Sequence, residues 1–455
     1  MFGLKIKFTG CLLIRFLFYI TFFVFLTTFD AGAKGMFGAG EFYLNNGMRV
    51  LVIPNHRVPI VKHMLWYKTG AADEEIGKGG IAHLLEHLMF RGTKKVSADK
   101  FNQLMEENGA ESNAFTGMEV TAYHQLSDVS RLELAMALEA DRMNNLDIDD
   151  TAFIRERGIV FEERKQRIDN NPIARFREKI NKVLWQEHPF GRPVTGTDEE
   201  ILKLTKADAE KFYNDFYAPN NAVLVICGDI DIKTARVLAE KYYANLPIKN
   251  IKETKLPNLK NGFRAKIVLS DAEVRSMRII KVYTAPSLAK NKDAVYPLQI
   301  LAHYMGGGES SKLYKKLVLE DKKALAVSVD YDPVSKDYGV FQVSMVPVGG
   351  LDADEAIKIL ENAWDEAIKE LDTDEVEKIK HKLLAGLVYL RDNPEDAAYI
   401  VGAMACAGAG LDDIENQEQL LRQVRKKQVI DALKSLEQSA SQVVGVLLPE
   451  DENNG

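Results

Sequence analysis

The residues best suited to chemistry stand in one short run, His83-Leu84-Leu85-Glu86-His87. The flanking Ile81, Ala82, Leu88, Met89 and Phe90 are apolar, and the segment has helical periodicity. Positions i and i+4 stack on one face of a helix, so His83 and His87 can offer two imidazoles to one metal ion. Glu86 can reach the same place. Burying two imidazoles and a carboxylate among such neighbours is costly unless they are paired or bind a metal. Catalytic zinc takes three protein ligands and keeps a fourth position for water, so the two histidines are one ligand short. A carboxylate or histidine from elsewhere has to complete the set. A pair of surface histidines would give the same short pattern.

A second candidate is Glu156-Arg157-Gly158-Ile159-Val160-Phe161-Glu162-Glu163. Seven residues make nearly two helical turns, so Glu156 and Glu163 share a face while Glu162 points about 100° away. Arg164, Lys165 and Arg167 follow, and a solvated charged face would look the same.

The elements that must position these residues fall into two similar halves. In the first, strands are expected over 48–53 and 61–67, helices over 80–90, 98–107, 130–146 and 151–169, another helix toward Trp185, a helix over 207–216 and a strand over 221–227. Asn170-Asn171-Pro172 should break the helix that carries the glutamates, because the residue before proline avoids the helical region. Residues 247–262 read as a linker, with two prolines and no apolar periodicity. The order then recurs. Strands are expected over 265–269 and 278–283, helices through 301 and near 313, and strands within 324–346. Helices over 352–371, 373–390 and 429–436 and a strand over 442–448 complete the half. This is a weak internal repeat of about 200 residues. The basic run 378–382 reads as a solvated helix face.

Together these features resemble the pitrilysin/insulinase family of zinc peptidases, in its processing-peptidase-like branch. The H-x-x-E-H order is that of the inverzincins, and Glu163 follows His87 by 76 residues. Gly79-Gly80 before the motif and Phe90-Arg91-Gly92-Thr93 after it fit the family's pattern. So do Gly109-Ala110 with Asn113-Ala114-Phe115-Thr116, then His188-Pro189-Phe190-Gly191, Gly196-Thr197, and Asn220-Asn221-Ala222 before Gly228-Asp229. The resemblance implies an α+β fold of two homologous α/β-sandwich halves of about 200 residues each, forming half of a clam-shell chamber. It makes His83, His87 and Glu163 the ligands of one Zn2+ per chain and Glu86 the general base. Glu156 takes the position behind, hydrogen-bonding a ligand histidine. Asn113, Ala114, Phe115 and Thr116 become an edge strand that pairs with an extended peptide substrate. The domains are then 34–246, a zinc-binding peptidase domain, and 263–455, an inactive peptidase-like one.

The second half departs from the active pattern. Its only histidines are His303 and His381, so a second zinc site is not expected. The family places an Arg and a Tyr after a Gly-rich turn here, to hold the substrate carbonyl. The turn is present as Gly306-Gly307-Gly308, but the Arg and Tyr positions align with Val318 and Val327, and no arginine lies between Arg278 and Arg391. The expectation is a heterodimer, in which a homologous zinc-less partner supplies that pair. The alternatives are a structural or assembly subunit that keeps the peptidase-like fold, and a zinc-binding protein without catalysis.

Composition sets the wider bounds. The 455 residues are 46% hydrophobic and 27% charged, ordinary for a globular chain. A net charge of −7 gives no reason to expect a nucleic-acid partner. The N-terminus has Lys5, Lys7 and Arg15, an apolar run over 16–29, and Ala31-Gly32-Ala33. The run is short of the roughly 20 residues a spanning helix needs. Residues 1–33 are therefore expected to be a cleavable signal peptide, giving a periplasmic or secreted protein with no other membrane segment. An uncleaved anchor in the inner membrane is the alternative. Removing the signal would take Cys11 and leave Cys227 and Cys406, both expected to be buried thiols.

Overall fold

The near-continuous apolar run Ile-Val-Lys-His-Met-Leu-Trp-Tyr at 60–67 forms a strand covered on both faces, with seven of its eight residues buried. It is the centre of one of two sheets. The structure, a computed structural model, describes residues 35–259 and 262–450, so the expected signal peptide lies outside the described residues. The first sheet contains β1 (Gly40–Tyr43), β2 (Arg49–Pro54), β3 (Ile60–Tyr67), β4 (Glu111–Thr116), β5 (Thr121–Asp128) and β6 (Ala222–Gly228). The second contains β7 (Arg264–Asp271), β8 (Arg278–Ala285), β9 (Ala324–Asp332), β10 (Gly339–Pro347) and β11 (Gln442–Pro449).

The strand orders are β1-β2-β6-β3-β5-β4 and β7-β11-β8-β10-β9. With β1 set aside the two are the same. Each begins with a parallel pair, β2 with β6 and β7 with β11. Each continues antiparallel to its far edge. The weak repeat in the sequence is thus a repeat of topology, and the chain is an α+β fold of two homologous halves. In both halves the last strand, β6 or β11, inserts beside the first, so each sheet closes only through a long-range pairing.

Each sheet packs one face on helices of its own half. Leu65 and Tyr123 meet Leu84, Leu88 and Met136 in the first core, and Val343 and Met345 meet Leu301 and Leu360 in the second. The opposite faces are covered reciprocally. The helix Pro394–Cys406 of the second half lays Ala397, Val401 and Met404 on Leu51, Trp66 and Val225. The helix Pro172–Trp185 of the first half lays Phe176 and Ile180 on Ile280 and Val443. A glycine permits the close approach each time. A Cβ on Gly402 would lie 2.2 Å from Trp66 Nε1, and one on Gly445 would lie 2.5 Å from Ile180 Cδ1.

Polar contacts cross the same seam. Lys62, buried on β3, pairs with Glu395 at 2.5 Å. His188 Nε2 stands 3.0 Å from Asp337 Oδ2, and Lys290 takes the other oxygen at 2.8 Å. The Glu119 carboxylate accepts the Lys336 N–H at 3.1 and 3.2 Å.

Several elements differ from expectation. The glutamate-bearing helix is α-helical only over Asp150–Arg164 and ends in a π turn, Lys165–Asp169, where the Asn170 N–H reaches Lys165 O at 2.8 Å. Pro172 then starts the next helix, with Asn171 as its cap. The segment near 313 winds as a π helix, Tyr314–Glu320. The helix Ile232–Tyr243 was not anticipated, since two of its three buried residues, Ala235 and Ala239, are small and give little periodic signal. Lys380 is not solvated: its ammonium lies buried on Val424 O at 3.1 Å. Cys227 and Cys406 are free and buried. No helix among the described residues is long and apolar enough to cross a membrane.

Candidate metal centre

The motif helix spans Ile81–Leu88 and starts abruptly. Gly80 adopts φ +87°, and a Cβ there would meet Thr195 O at 2.4 Å, so glycine is required for the chain to pass the segment around Gly196. The first helical amides are not left to water. Buried Glu74 accepts the Gly80 N–H at 3.1 Å and the Ala82 N–H at 3.0 Å, one on each carboxylate oxygen. Burial pushes the Glu74 pKa well above the usual carboxylate range, against the pull of those two amides. Ile81, Ala82, Leu84, Leu85 and Leu88 enter the core. The helix can then rotate only so that His83, Glu86 and His87 face away from it.

The helix Asp150–Arg164 packs against this one, its start capped by Asp149, which accepts the Ala152 N–H at 2.8 Å. Glu156 and Glu163 both face the motif helix. Glu156 is completely buried, whereas Glu162 faces solvent. Of the three glutamates, the solvated-face alternative therefore describes Glu162 alone, although Lys165 and Arg167 are exposed beside it.

Three donors converge. Glu163 Oε2 stands 3.3 Å from His87 Nε2 and 3.8 Å from His83 Nε2. One ligand atom from each residue lies within 4.8 Å of the other two, and among the described residues this is the one such group of three. Tetrahedral zinc with bonds of about 2.0–2.1 Å sets its donors roughly 3.3 Å apart, so the set fits a metal of that kind. His83 Nδ1 is buried without a hydrogen-bond partner. Burial, and the neighbouring His87, push the His83 pKa down to about 4, which keeps the ring neutral and its lone pair available.

The surroundings hold the donors in place. Arg167 pairs with the outer oxygen of Glu163 at 2.6 Å and leaves Oε2 to the histidines. Glu156 Oε2 lies 3.4 Å from His87 Nδ1, and its other oxygen takes Arg91 at 2.7 Å and Arg155 at 3.2 Å. Glu86 accepts the Thr116 hydroxyl at 2.5 Å. Burial raises the Glu86 pKa, and the Thr116 hydrogen bond opposes this without cancelling it. A carboxylate with a raised pKa is suited to accepting a proton near neutrality.

Asn113, Ala114, Phe115 and Thr116 all lie on β4, which pairs with β5 alone and forms the edge of its sheet. Of the four, Thr116 touches the centre through Glu86. Asn113 Oδ1 accepts the Ala114 N–H at 2.8 Å. Val318 and Val327 pack with the second core, so no polar group stands at either position. Sequence reasoning missed Glu74, Arg91 and Arg167. Glu74 caps from outside the N-cap spacing that a capping pattern would show, and Arg91 pairs with a glutamate 65 residues away; Arg167 stands four residues after Glu163, a helical ion-pair spacing that could have found it. It gave no role to His188, which ties the two halves together.

Known proteins are similar to this chain. The family model described as Insulinase (Peptidase family M16) matches residues 49–198, and that described as Peptidase M16 inactive domain matches 203–383. The chain is 32% identical over 290 residues to the zinc protease PqqE of Helicobacter pylori, covering 62% of this chain and 64% of that protein, just under two thirds of its length. It is 24% identical over 369 residues to the mitochondrial-processing peptidase subunit beta of Lentinula edodes, covering 79% of each. The crystal structure of a protease from Helicobacter pylori superposes with a TM-score of 0.81 at 26% identity, over 90% of this chain and 99% of that one.

Proposed function

The chain belongs to the M16 (insulinase) peptidase family, and from that premise we propose that it is an exported zinc metalloendopeptidase acting on unfolded peptides. The observation that carries this is the convergence of His83, His87 and Glu163 beside Glu86, a carboxylate that belongs to none of the three donor positions. His83, His87 and Glu163 would hold the metal. Zinc, when bound, supplies a Lewis acid that lowers the pKa of a water at the site toward neutrality.

The chain's own residues do the rest. Glu86 takes a proton from the attacking water and returns it to the leaving amine. Thr116 orients Glu86 through its hydroxyl. Glu156 fixes the His87 ring. The edge of β4 aligns an extended peptide by main-chain pairing, for which Asn113 must release the Ala114 N–H.

We read 34–246 as the zinc-binding domain, 247–262 as the linker and 263–455 as its inactive counterpart, although the inactive-domain match begins earlier, at residue 203. Valine at 318 and 327 leaves this chain without an Arg/Tyr pair for the substrate carbonyl. A homologous zinc-less subunit supplies that pair and closes the chamber. The likeness to a chain named as one subunit of a processing peptidase supports this. The leader pattern in 1–33 supports export to the periplasm or beyond, and N-terminal sequencing of the mature chain should begin at Lys34.

The experiment is peptide hydrolysis by the zinc-loaded chain, alone and with its partner, against Glu86→Gln. Turnover that disappears in the variant while zinc stays bound supports the assignment. Equal turnover in both removes Glu86 from the chemistry, and a folded, zinc-loaded complex that cuts nothing returns the chain to the structural-subunit reading.

A further inference from the structure

β4 presents its two faces to different surroundings. Thr116 points to the motif helix and bonds Glu86, and Ala114 packs toward the same core. Phe115, between them, points the opposite way. It meets Trp66 edge-on at 5.2 Å and Tyr399 at 5.5 Å, and Trp66 and Tyr399 are themselves 5.6 Å apart. These three rings line a groove of about 790 Å³ that Met118, Val120 and Ile400 also border. Tyr399 comes from the helix Pro394–Cys406, so the second half builds one wall. Its ring is half-free, the residue being 48% exposed.

Successive side chains of any strand leave on opposite faces of its sheet. A peptide added along β4 therefore sends every second side chain toward the motif helix and the alternate ones toward the groove. We infer that this groove is a specificity site that selects aromatic or large apolar side chains at alternate positions of the bound peptide. The inference rests on the proposed peptide-binding role of β4 and adds to it the class of peptide preferred. Rings favour rings in such a setting, through burial and edge-to-face contact. Basic side chains meet Arg177, Arg192 and Lys336 on the same lining, and its carboxylates already have partners. Glu119 is taken by the Lys336 N–H, Glu178 by Arg164 and Asp332 by the Val334 N–H. The volume is in the range of ordinary ligand sites.

The test uses the full Glu86→Gln chain and fluorescein-labelled peptides, so that binding is read without cleavage. One peptide carries Phe at every second position of a serine background, one has the same composition with the Phe residues in a block, and one has Lys at the alternate positions. The alternating Phe peptide should bind about tenfold more tightly than either other. The same protein with Tyr399→Lys, a change at a half-exposed position, should lose that preference. Equal binding of all three, no binding of any, or a preference that survives Tyr399→Lys overturns the inference. Hydrolysis by the zinc-loaded wild-type chain together with its partner separates the two readings: preference without hydrolysis sinks the catalytic assignment alone, and hydrolysis without preference sinks the groove alone.

Discussion

Glu156 Oε2 lies 3.4 Å from His87 Nδ1, on the side of the ring opposite the donor cluster, where Glu163 Oε2 stands 3.3 Å from Nε2. The imidazole is thus held between two carboxylates of one helix. A fully buried carboxylate at Nδ1 favours the tautomer with the proton there, which leaves the Nε2 lone pair for a metal. Arg91 and Arg155 flank the other oxygen of this fully buried carboxylate.

Loss of that carboxylate should be felt at the metal. Glu156→Gln is expected to weaken zinc binding about 10–100-fold. Competition titration with a chromophoric chelator measures it. Unchanged affinity would make Glu156 a packing residue only.

Removal of a donor should be more severe. His83→Ala and Glu163→Ala each leave two protein ligands where catalytic zinc uses three. Purified protein should then contain almost no zinc by elemental analysis, with unchanged far-UV circular dichroism. Full zinc content in Glu163→Ala would mean that another residue is the third ligand.

The seam between the halves should respond to acid. Burial alone would raise the Asp337 pKa, but the hydrogen bond to His188 and the charge of Lys290 outweigh it and hold the carboxyl below its usual range. A carboxyl depressed in the fold adds stability above its unfolded pKa and loses it as pH falls through the folded value. Asp337→Asn should therefore lower the melting temperature at pH 7. The gap from wild type should close below about pH 4. A gap that stays constant from neutral to acid pH would remove the ion pair as its cause.

Two glycines in helices should respond oppositely to alanine. Gly402→Ala drives a methyl into Trp66 and should destabilise by about 1–3 kcal/mol. Gly386 lies in the exposed part of the helix Thr373–Asp392, and nothing lies within 4 Å of its Cβ position. Gly386→Ala should stabilise by about 0.5–1 kcal/mol. Denaturant titration of both reports the signs. A neutral Gly402→Ala would show that the inter-half packing is loose.

The chain by itself should be a poor enzyme. Without the pair missing at 318 and 327, hydrolysis is expected to rise sharply when a homologous subunit carrying Arg and Tyr is added. Ordinary turnover by a chain verified as partner-free would contradict the two-chain reading.

Much of the centre was legible because helical periodicity alone decides that His83 stacks on His87 and that Glu156 shares a face with Glu163. The pairing of Glu163 with the histidines was not legible in that way, since it depends on how two helices 76 residues apart pack; only the family resemblance pointed to it. Glu74 was invisible for a similar reason: it caps the motif helix from the residue just after a 3-10 turn, Ala71–Asp73. The exchange of helices between the halves could not be read either. The burial of Pro172–Trp185 and Pro394–Cys406 is against sheets formed by distant sequence, and Ala397, Ala398, Gly402 and Ala405 carry too little hydrophobic contrast to mark a face. The π segments at 165–169 and 314–320 share the α-helical pattern locally and differ only in the longer reach of their backbone hydrogen bonds.

The most direct test is cleavage of an internally quenched peptide by the zinc-loaded chain with its partner, set beside Glu86→Gln prepared in the same way and assayed for zinc. The expected result is turnover by wild type, a fall of about 10²–10⁴-fold in the variant, and equal zinc in both. Turnover that survives Glu86→Gln, or a variant that loses activity only because it has lost its zinc, would contradict the role of Glu86 as general base.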